Sequence, residues 1–386
     1  MRVRLACLLL IAVAGGCPSS LIWEFPGGPS YTALVIADAN NDGLPDLWFC
    51  EQQGGEMRVA LRDPLNPRAY LDGGGLAVGR APLAIAAADL DRDGDVDALV
   101  TDLDDGLLRV VLRASDGSFV AHGSVSVGPR GYALAVGDLN RDGWPDAAVG
   151  RSEGGVTVVL QDPAAPGTFA VSRVLVGDRP IRAVAIGDID EDGCEDLIAA
   201  DMNGERVYLF VQDPGAAGTF LPGVTLGTGV GPNGIALWDL DGNGHPDIAV
   251  ADYSDDSASV LLHAPAGFGT FLPATDYPTG EYSSAVAVGD LDFDGLPDLA
   301  LADSDVGRDV SILLQDPASP GGFQPGPRIE VGPALQAVVC ADLDGDGRDD
   351  LAVARGFFLP DEAGHVLVVF QDPLAPGGFT APLVIR

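Results

Sequence analysis

The sequence predicts an all-β fold, a seven-bladed β-propeller of four-stranded antiparallel blades. Three observations predict it. The pattern D-x-[DN]-x-[DN]-G-x-x-D occurs seven times, starting at Asp38, Asp89, Asp138, Asp188, Asp239, Asp290 and Asp342. The intervals are 51, 49, 50, 51, 51 and 52 residues, the regularity of a repeat architecture. Between the loops lie short apolar segments bounded by Gly, Pro and Asp, and no long stripe of period 3.6 appears.

Each repeat opens on an apolar segment such as Ala84 to Ala88 or Ala285 to Val288. The aspartate loop follows and leads straight into a second segment, such as Leu47 to Phe49 or Ala98 to Val100. A third segment comes after a polar turn, as at Val156 to Leu160, and often ends in Gln-Asp-Pro. A Gly-rich turn then introduces a fourth segment beginning at Phe169, Phe220, Phe271, Phe323 or Phe379. Segments of this length, rich in Val, Leu, Ile and Ala, are strands. A four-stranded sheet cannot cover both of its own faces, and radial stacking of seven sheets buries them. The first strand is rich in Ala and Gly, which suits the crowded centre of a ring, and Trp238 departs from that pattern.

The expected organisation is a signal peptide at 1–17, an N-terminal segment at 18–28 and the propeller at 29–386. The blades are expected near 29–79, 80–128, 129–177, 178–229, 230–278, 279–331 and 332–386. Leu21 to Phe25 is a candidate to pair with the last blade, whose outer strand falls near Thr380 to Ile385. Arg2 and Arg4 precede an apolar run from Leu5 to Ala14, about half of the ~20 residues a spanning helix needs. The run ends in Ala14-Gly15-Gly16-Cys17, which resembles a bacterial lipobox, where the cysteine is lipidated. Lipidation at Cys17 and ordinary signal cleavage both remain open. Either route exports the chain, as an outer-membrane or cell-surface lipoprotein or as a secreted protein.

The formal charge is −36, from 57 acids against 21 bases. Phosphate would be repelled, so nucleic acid and anionic membranes are excluded as partners, and membrane contact is expected only through a lipid anchor. A monomer is expected. The position of the acids points to divalent cations. Loop 1 offers Asp38, Asn40, Asp42 and Asp46, loop 2 offers Asp89, Asp91, Asp93 and Asp97, and loop 3 offers Asp138, Asn140, Asp142 and Asp146. Loop 4 offers Asp188, Asp190, Asp192 and Asp196, and loop 5 offers Asp239, Asp241, Asn243 and Asp247. Loop 6 offers Asp290, Asp292, Asp294 and Asp298, and loop 7 offers Asp342, Asp344, Asp346 and Asp350.

These are positions 1, 3, 5 and 9 of the loop. Glycine at position 6 permits a positive φ that turns the chain round an ion, and the carbonyl of position 7 can point inward. Hard oxygen donors in this number suit Ca²⁺, one per blade and up to seven in all. Mg²⁺ demands a tighter octahedron, and soft metals lack Cys or His ligands here. An EF-hand requires Glu at position 12 and flanking helices. Position 12 is instead Phe49, Val100, Val149, Ala199, Val250, Leu301 and Val353, all apolar. A metal-free Asp-Gly hairpin turn would explain a single loop, but not one spacing repeated seven times. Carboxylates held this close repel one another unless a cation joins them, so folding is expected to be linked to calcium. Asn40, Asn140 and Asn243 remove one charge each, and loops 1, 3 and 5 are expected to bind more weakly.

Units such as Ala285-Val-Ala-Val-Gly-Asp-Leu-Asp-Phe-Asp-Gly-Leu-Pro-Asp-Leu-Ala-Leu-Ala302 resemble the FG-GAP/VCBS-type repeat, related to the propeller of integrin α-subunits. The resemblance covers roughly residues 29 to 386. It implies a calcium-stabilised propeller, usually exported and often used for adhesion or ligand binding. The Phe-Gly/Gly-Ala-Pro part of that pattern is replaced here by Pro-Gly-Thr-Phe or Pro-Gly-Gly-Phe.

Catalytic motifs are weak. Gly150-Arg151-Ser152-Glu153-Gly154 matches a nucleophile elbow but falls in a hairpin with no helix after it. The four histidines, His122, His245, His263 and His365, stand in different repeat settings, as turn or surface residues. Cys50, Cys194 and Cys340 show no metal spacing. Cys50 and Cys340 lie in blades that should meet at the ring closure, as buried free thiols or as a disulfide. The expected function is a non-catalytic, calcium-dependent binding or adhesion scaffold for a protein or glycan ligand. The alternatives are a glycan-acting enzyme with its site at the channel mouth and a purely structural surface component.

Overall fold

The computed structural model describes residues 31–175, 179–265, 267, 269–304, 309–356, 365–375 and 377–385. The predicted signal, Cys17, the segment 18–28 and the pairing of Leu21 to Phe25 lie outside the described residues.

The described chain forms seven four-stranded antiparallel sheets, each built from consecutive strands. Blade 1 holds β1 (Tyr31–Ala37), β2 (Asp46–Glu51), β3 (Glu56–Arg62) and β4 (Tyr70–Ala77). Blade 2 holds β5 (Pro82–Ala88), β6 (Asp97–Asp102), β7 (Leu107–Arg113) and β8 (Phe119–Ser126). Blade 3 holds β9 (Gly131–Gly137), β10 (Asp146–Arg151), β11 (Val156–Gln161) and β12 (Phe169–Leu175). Blade 4 holds β13 (Ile181–Gly187), β14 (Asp196–Asp201), β15 (Arg206–Phe210) and β16 (Val224–Gly227). Blade 5 holds β17 (Pro232–Trp238), β18 (Asp247–Asp252), β19 (Ser257–Leu261) and β20 (Thr275–Pro278). Blade 6 holds β21 (Ser283–Gly289), β22 (Asp298–Asp303), β23 (Asp309–Gln315) and β24 (Phe323–Glu330). Blade 7 holds β25 (Leu335–Ala341), β26 (Asp350–Arg355), β27 (Val366–Val369) and β28 (Leu383–Ile385).

The first strands of successive blades touch round the whole ring, and β25 meets β1 to close it. The core therefore lies between blades. Leu34 and Phe49 of blade 1 pack with Val368, Phe370 and Ile385 of blade 7, and equivalent clusters fill the other junctions. Burial explains the strand patterns. All six residues of β6, β14, β18 and β22 are buried, because each second strand is covered on both faces. Such strands read as unbroken apolar runs, whereas the outer β8 is almost wholly exposed. At the crowded centre, a Cβ on Gly234 would stand 2.9 Å from the Ala285 backbone of the next blade. Only glycine allows that approach.

The fourth strands depart from expectation in three blades. Phe220, Phe271 and Phe379 make only single bridges, to Gln212, His263 and Gln371. Regular pairing resumes at β16, β20 and β28, beyond Pro222, Pro273 and Pro382. Proline has no N–H for the ladder, so it interrupts these edge strands. In β24, Pro325 and Pro327 are tolerated because the register shifts between Ser311 and Leu313.

The first-to-second strand pairing slips near its start in every blade. Polar side chains at these slips tie neighbouring blades together. Thr32 Oγ1 donates to Pro82 O at 3.2 Å, Asn233 Nδ2 to Ser284 O at 2.9 Å, and Ser284 Oγ to Leu335 O at 3.0 Å. Cys50, Cys194 and Cys340 are free thiols. Cys50 packs toward blade 2 and Cys340 toward blade 6, so the two face opposite neighbours and the disulfide alternative is not formed. Gly150 to Gly154 closes a hairpin between β10 and β11, which is no nucleophile elbow. Among the described residues, no helix is long and apolar enough to cross a membrane.

Candidate metal centre

The seven aspartate loops connect the first and second strands, so all seven lie on one face of the ring. Position 9 begins each second strand. Asp46, Asp97, Asp146, Asp196, Asp247, Asp298 and Asp350 are at most 1% exposed. One oxygen of each accepts an N–H from the end of the third strand. The donors are Arg62, Arg113, Gln161, Gln212, His263, Gln315 and Gln371, at 2.6 to 2.8 Å. In six blades the second oxygen accepts the N–H of loop position 2, for example Leu90 and Leu240 at 2.8 Å. Position 9 is thus a latch that ties the loop to the blade, besides being a possible ion ligand. The Gln-Asp-Pro repeat was its sequence signal, and its role was not read from the sequence.

A ladder of short bonds shapes the rest of the loop. The N–H of Gly at position 6 donates to the position 1 carboxylate, as in Gly43 to Asp38 at 2.7 Å and Gly244 to Asp239 at 2.9 Å. Position 5 donates to position 3, and position 7 to position 5, as in Asp93 to Asp91 at 3.2 Å and Asp95 to Asp93 at 2.8 Å. These glycines take φ between 82° and 93°, and at six of them a Cβ would meet nothing within 4 Å, so the backbone angle alone demands glycine there; at Gly143 a Cβ would also stand 2.9 Å from the Arg92 guanidinium.

At position 1 the carboxylate spends both oxygens on amides in loops 1, 3 and 7 and only one in the others. In loops 2, 4, 5 and 6 the spare Oδ1 atoms of Asp89, Asp188, Asp239 and Asp290 are buried and have no hydrogen-bond partner. An orphaned buried carboxylate oxygen is costly, and a cation removes the cost. Oxygens of three carboxylates lie within 4.8 Å of one another in five loops. The groups are Asp89, Asp91 and Asp97; Asp188, Asp190 and Asp196; Asp239, Asp241 and Asp247; Asp290, Asp292 and Asp294; and Asp342, Asp344 and Asp350. The donor set could hold a hard divalent ion.

Loops 1 and 3 form no such group among the described residues. There the side-chain amide closes the loop on itself: Asn40 Nδ2 donates to Asp42 Oδ2, and Asn140 Nδ2 to Asp142 Oδ2, both at 3.0 Å. Asp38 Oδ1 and Asp138 Oδ1 accept the N–H groups of Asp42 and Asp142, each at 3.1 Å. Asn243 of loop 5 stands at position 5, and Asp239 Oδ1 stays orphaned. Loop 7 has an internal cation: Arg68 of blade 1 reaches Asp344 at 2.6 Å and Asp346 at 3.9 Å.

Electrostatics follow from this crowding. Burial first, then neighbouring carboxylates, pushes Asp46, Asp97 and Asp247 up to about 6, against the backbone N–H bonds. The same causes push Asp146, Asp196, Asp298 and Asp350 up to about 7. At position 3, Asp91, Asp190 and Asp292 are raised by burial and by the position 5 carboxylate.

The outer turn of the next blade covers the flank of loops 3, 4, 5 and 6. A Cβ on Gly218, Gly269, Gly321 or Gly377 would stand 3.0 to 3.6 Å from the position 3 Cβ of Asn140, Asp190, Asp241 or Asp292. These Gly-Thr-Phe and Gly-Gly-Phe turns thus pack on the preceding loop. His263 was expected in a turn or at the surface. It is 3% exposed, stacks on His245 with centroids 4.8 Å apart, and takes the place held by Gln in four other blades.

No curated protein gives a significant match. Among solved structures, a provisionally named 6-phosphogluconolactonase from Bacteroides fragilis NCTC 9343 is similar with a TM-score of 0.61. It is 12% identical, over 96% of this chain and 96% of that one. A protein of unknown function from Desulfotomaculum acetoxidans DSM 771 has a TM-score of 0.58 at 12% identity, over 87% of this chain and 97% of that one. A Lactobacillus plantarum protein has a TM-score of 0.55 at 18% identity, over 78% and 86%. At these identities the likeness is one of fold. The FG-GAP-like repeat matches residues 89–149, 138–199, 188–250, 239–301 and 293–353, together more than half of the chain. With that coverage, and one aspartate loop in every blade, the chain belongs to the FG-GAP-like repeat family.

Proposed function

We propose that the protein is a calcium-binding, non-catalytic propeller that serves outside the cell as a binding or adhesion scaffold. The observation that carries the calcium reading is the set of buried, partnerless oxygens on Asp89, Asp188, Asp239 and Asp290. Positions 1, 3, 5 and 9 would hold the ion, and calcium would supply the counter-charge that lets these carboxylates stay ionised together. Loops 1 and 3 would bind most weakly, because a side-chain amide already satisfies the position 5 carboxylate. Loop 5 would bind closer to the all-aspartate loops than its asparagine suggests.

The scaffold reading is supported by the family and by the loops' role in tying strands together. The ligand is a protein or a glycan, and the face remote from the metal loops is where it would dock. Export rests on the first 17 residues. Cys17→Ser is expected to move the protein from the membrane fraction to the soluble one, and an unchanged distribution would argue against a lipid anchor. A glycan array and a surface-protein pull-down, each with calcium and then with chelator, test the scaffold. Binding that disappears with chelator is expected. Binding that ignores chelator, or turnover of a glycan, contradicts it.

One observation favours an enzyme as the second reading. Arg182 lies 3.9 Å over the Tyr132 ring, on adjacent first strands and at their ends away from the loops. These are unlike residues at equivalent positions, as a catalytic site would need. Arg182→Met would abolish glycan turnover on that reading and leave calcium-dependent binding intact on the first.

A further inference from the structure

Position 4 is left-handed in every loop. Asn41, Arg92, Arg141, Glu191 and Phe293 have φ from 58° to 66°, and Gly242 and Gly345 have 74° and 81°. Five non-glycine residues accept a backbone angle that disfavours a Cβ, and the same angle recurs in all seven loops. In each case the side chain touches position 7 of the next loop round the ring. Asn41 Nδ2 donates to Asp95 Oδ1 at 2.6 Å, and the Arg92 guanidinium lies 4.2 Å over the Trp144 ring. Arg141 Nη1 bonds Cys194 Sγ at 3.0 Å, and Glu191 bonds His245 Nδ1. The Phe293 ring lies 3.9 Å under the Arg348 guanidinium. The chemistry differs at every junction, while the geometry is one and the same.

Two junctions have glycine at position 4 and so no side chain to make the contact. Gly242 faces loop 6, and a Cβ there would find open space. Gly345 faces loop 1, where Arg68 binds loop 7 from the outer turn of blade 1 and carries no contact between the two loops. One other link is shared by the 5/6 and 6/7 junctions, although the 6/7 junction also has the Asp290 N–H on Asp349 Oδ2 at 2.8 Å. Gln315 bonds Leu240 O across the 5/6 junction just as Gln371 bonds Asp290 O across 6/7.

We propose that calcium binding is coupled between neighbouring loops along two arcs, loops 1 to 5 and loops 6 to 7, through this contact of position 4 with position 7. The proposal rests on the calcium reading above. Position 4 stands between two ion ligands, positions 3 and 5, and position 7 supplies the expected carbonyl ligand of its own loop. An ion that fixes position 4 of one loop also restrains position 7 of the next, so the second ion finds part of its site already ordered. Coupling of this kind is reciprocal, and loop 5 must strengthen loop 4 as much as the reverse.

The test is terbium titration of the full chain, with calcium as competitor. Trp238 immediately precedes Asp239, whereas Trp48 and Trp144 stand at loops 1 and 3, so the loop 5 signal is the part of the tryptophan-sensitised emission that Trp238→Phe removes. Glu191→Gly removes the contact from loop 4, keeps all four of that loop's ligands, and suits the left-handed backbone. The Trp238-sensitised affinity is expected to fall about fivefold or more, the lower end of usual coupling strengths. Glu191→Gln, which retains an acceptor for His245, should recover most of it. Phe293→Gly, beyond the break at Gly242, should leave the loop 5 signal unchanged. Equal loop 5 affinities in the wild type and Glu191→Gly would overturn the coupling while leaving the calcium reading intact. An equal loss in Phe293→Gly would overturn the two arcs. No terbium signal in the wild type would overturn both readings.

Discussion

In loops 1 and 3 an asparagine holds the third position, and in loops 2, 4, 5 and 6 an aspartate does. The backbone ladder is otherwise shared, with the position 6 amide on the position 1 carboxylate in loops of both kinds. The amide of Asn40 or Asn140 bonds the fifth carboxylate, and no position 1 oxygen is left orphaned there. Where aspartate stands in loops 2, 4, 5 and 6, there is no NH₂ to donate and the buried position 1 Oδ1 goes unmet, whereas the unmet oxygen of loop 3 is Asp146 Oδ2 at position 9. The contrast shows two ways to stabilise one turn. A neutral amide suffices when the turn only has to be a turn. An unmet carboxylate is tolerable only with a cation, because leaving it buried and bare costs about 1–3 kcal/mol.

If the two kinds of loop differ only at the ion, substitution at position 9 should cost the same in both. Asp46→Ala in loop 1 and Asp247→Ala in loop 5 each strand two buried backbone N–H groups. In chelator the expected loss is about 2–5 kcal/mol in urea unfolding for both, and in calcium Asp247→Ala loses an ion ligand besides. A loss confined to calcium-loaded protein would mean that position 9 is a ligand and no latch.

The pH dependence sharpens the same point. Without metal, the position 9 carboxyls are raised from 3.8 to about 6 or about 7. The folded chain then holds more protons than the unfolded one between those values. Stability of the stripped protein should be greatest near pH 4 and decline as pH rises to about 7, each pKa unit being worth about 1.4 kcal/mol. Calcium needs the ionised form, so calcium affinity should move the opposite way and fall on acidification. Thermal midpoints and calcium titrations at pH 5 and pH 8 measure the two trends.

A smaller effect is expected from converting one kind of loop into the other. Asn140→Asp should tighten loop 3 for calcium by about tenfold, worth about 1.4 kcal/mol, and lower stability in chelator. Asn243→Asp, at position 5 of loop 5, should change less, because the orphaned oxygen of Asp239 is already present. Equal gains at the two sites would show that charge count alone governs affinity.

The loops were legible in the sequence because their chemistry is local: five fixed positions holding Asp, Asn or Gly, repeated seven times. The blades were legible because burial on both faces writes second strands as plain apolar runs. What the sequence hid was contact between repeats. Nothing in Glu191 or Phe293 announces a left-handed residue that reaches the next loop, because position 4 is one of the four places where the pattern allows any residue. The packing of Gly218 on Asn140 joins residues 78 positions apart, and the turn motif alone does not say what it covers. The late start of β16 and β20 was foreseeable from Pro222 and Pro273, but the Phe that opens each segment drew the boundary too early.

The central claim is that the aspartate loops hold calcium as part of the folded ring. Calorimetric melting of the full chain, with calcium and then after exhaustive chelation, tests it most directly. Mass action gives about 2.7 kcal/mol for each site at a hundredfold excess over its Kd, so several occupied loops should raise the midpoint by well over 10 °C. Identical midpoints in the two conditions, with no calcium retained on the purified chain, would contradict it.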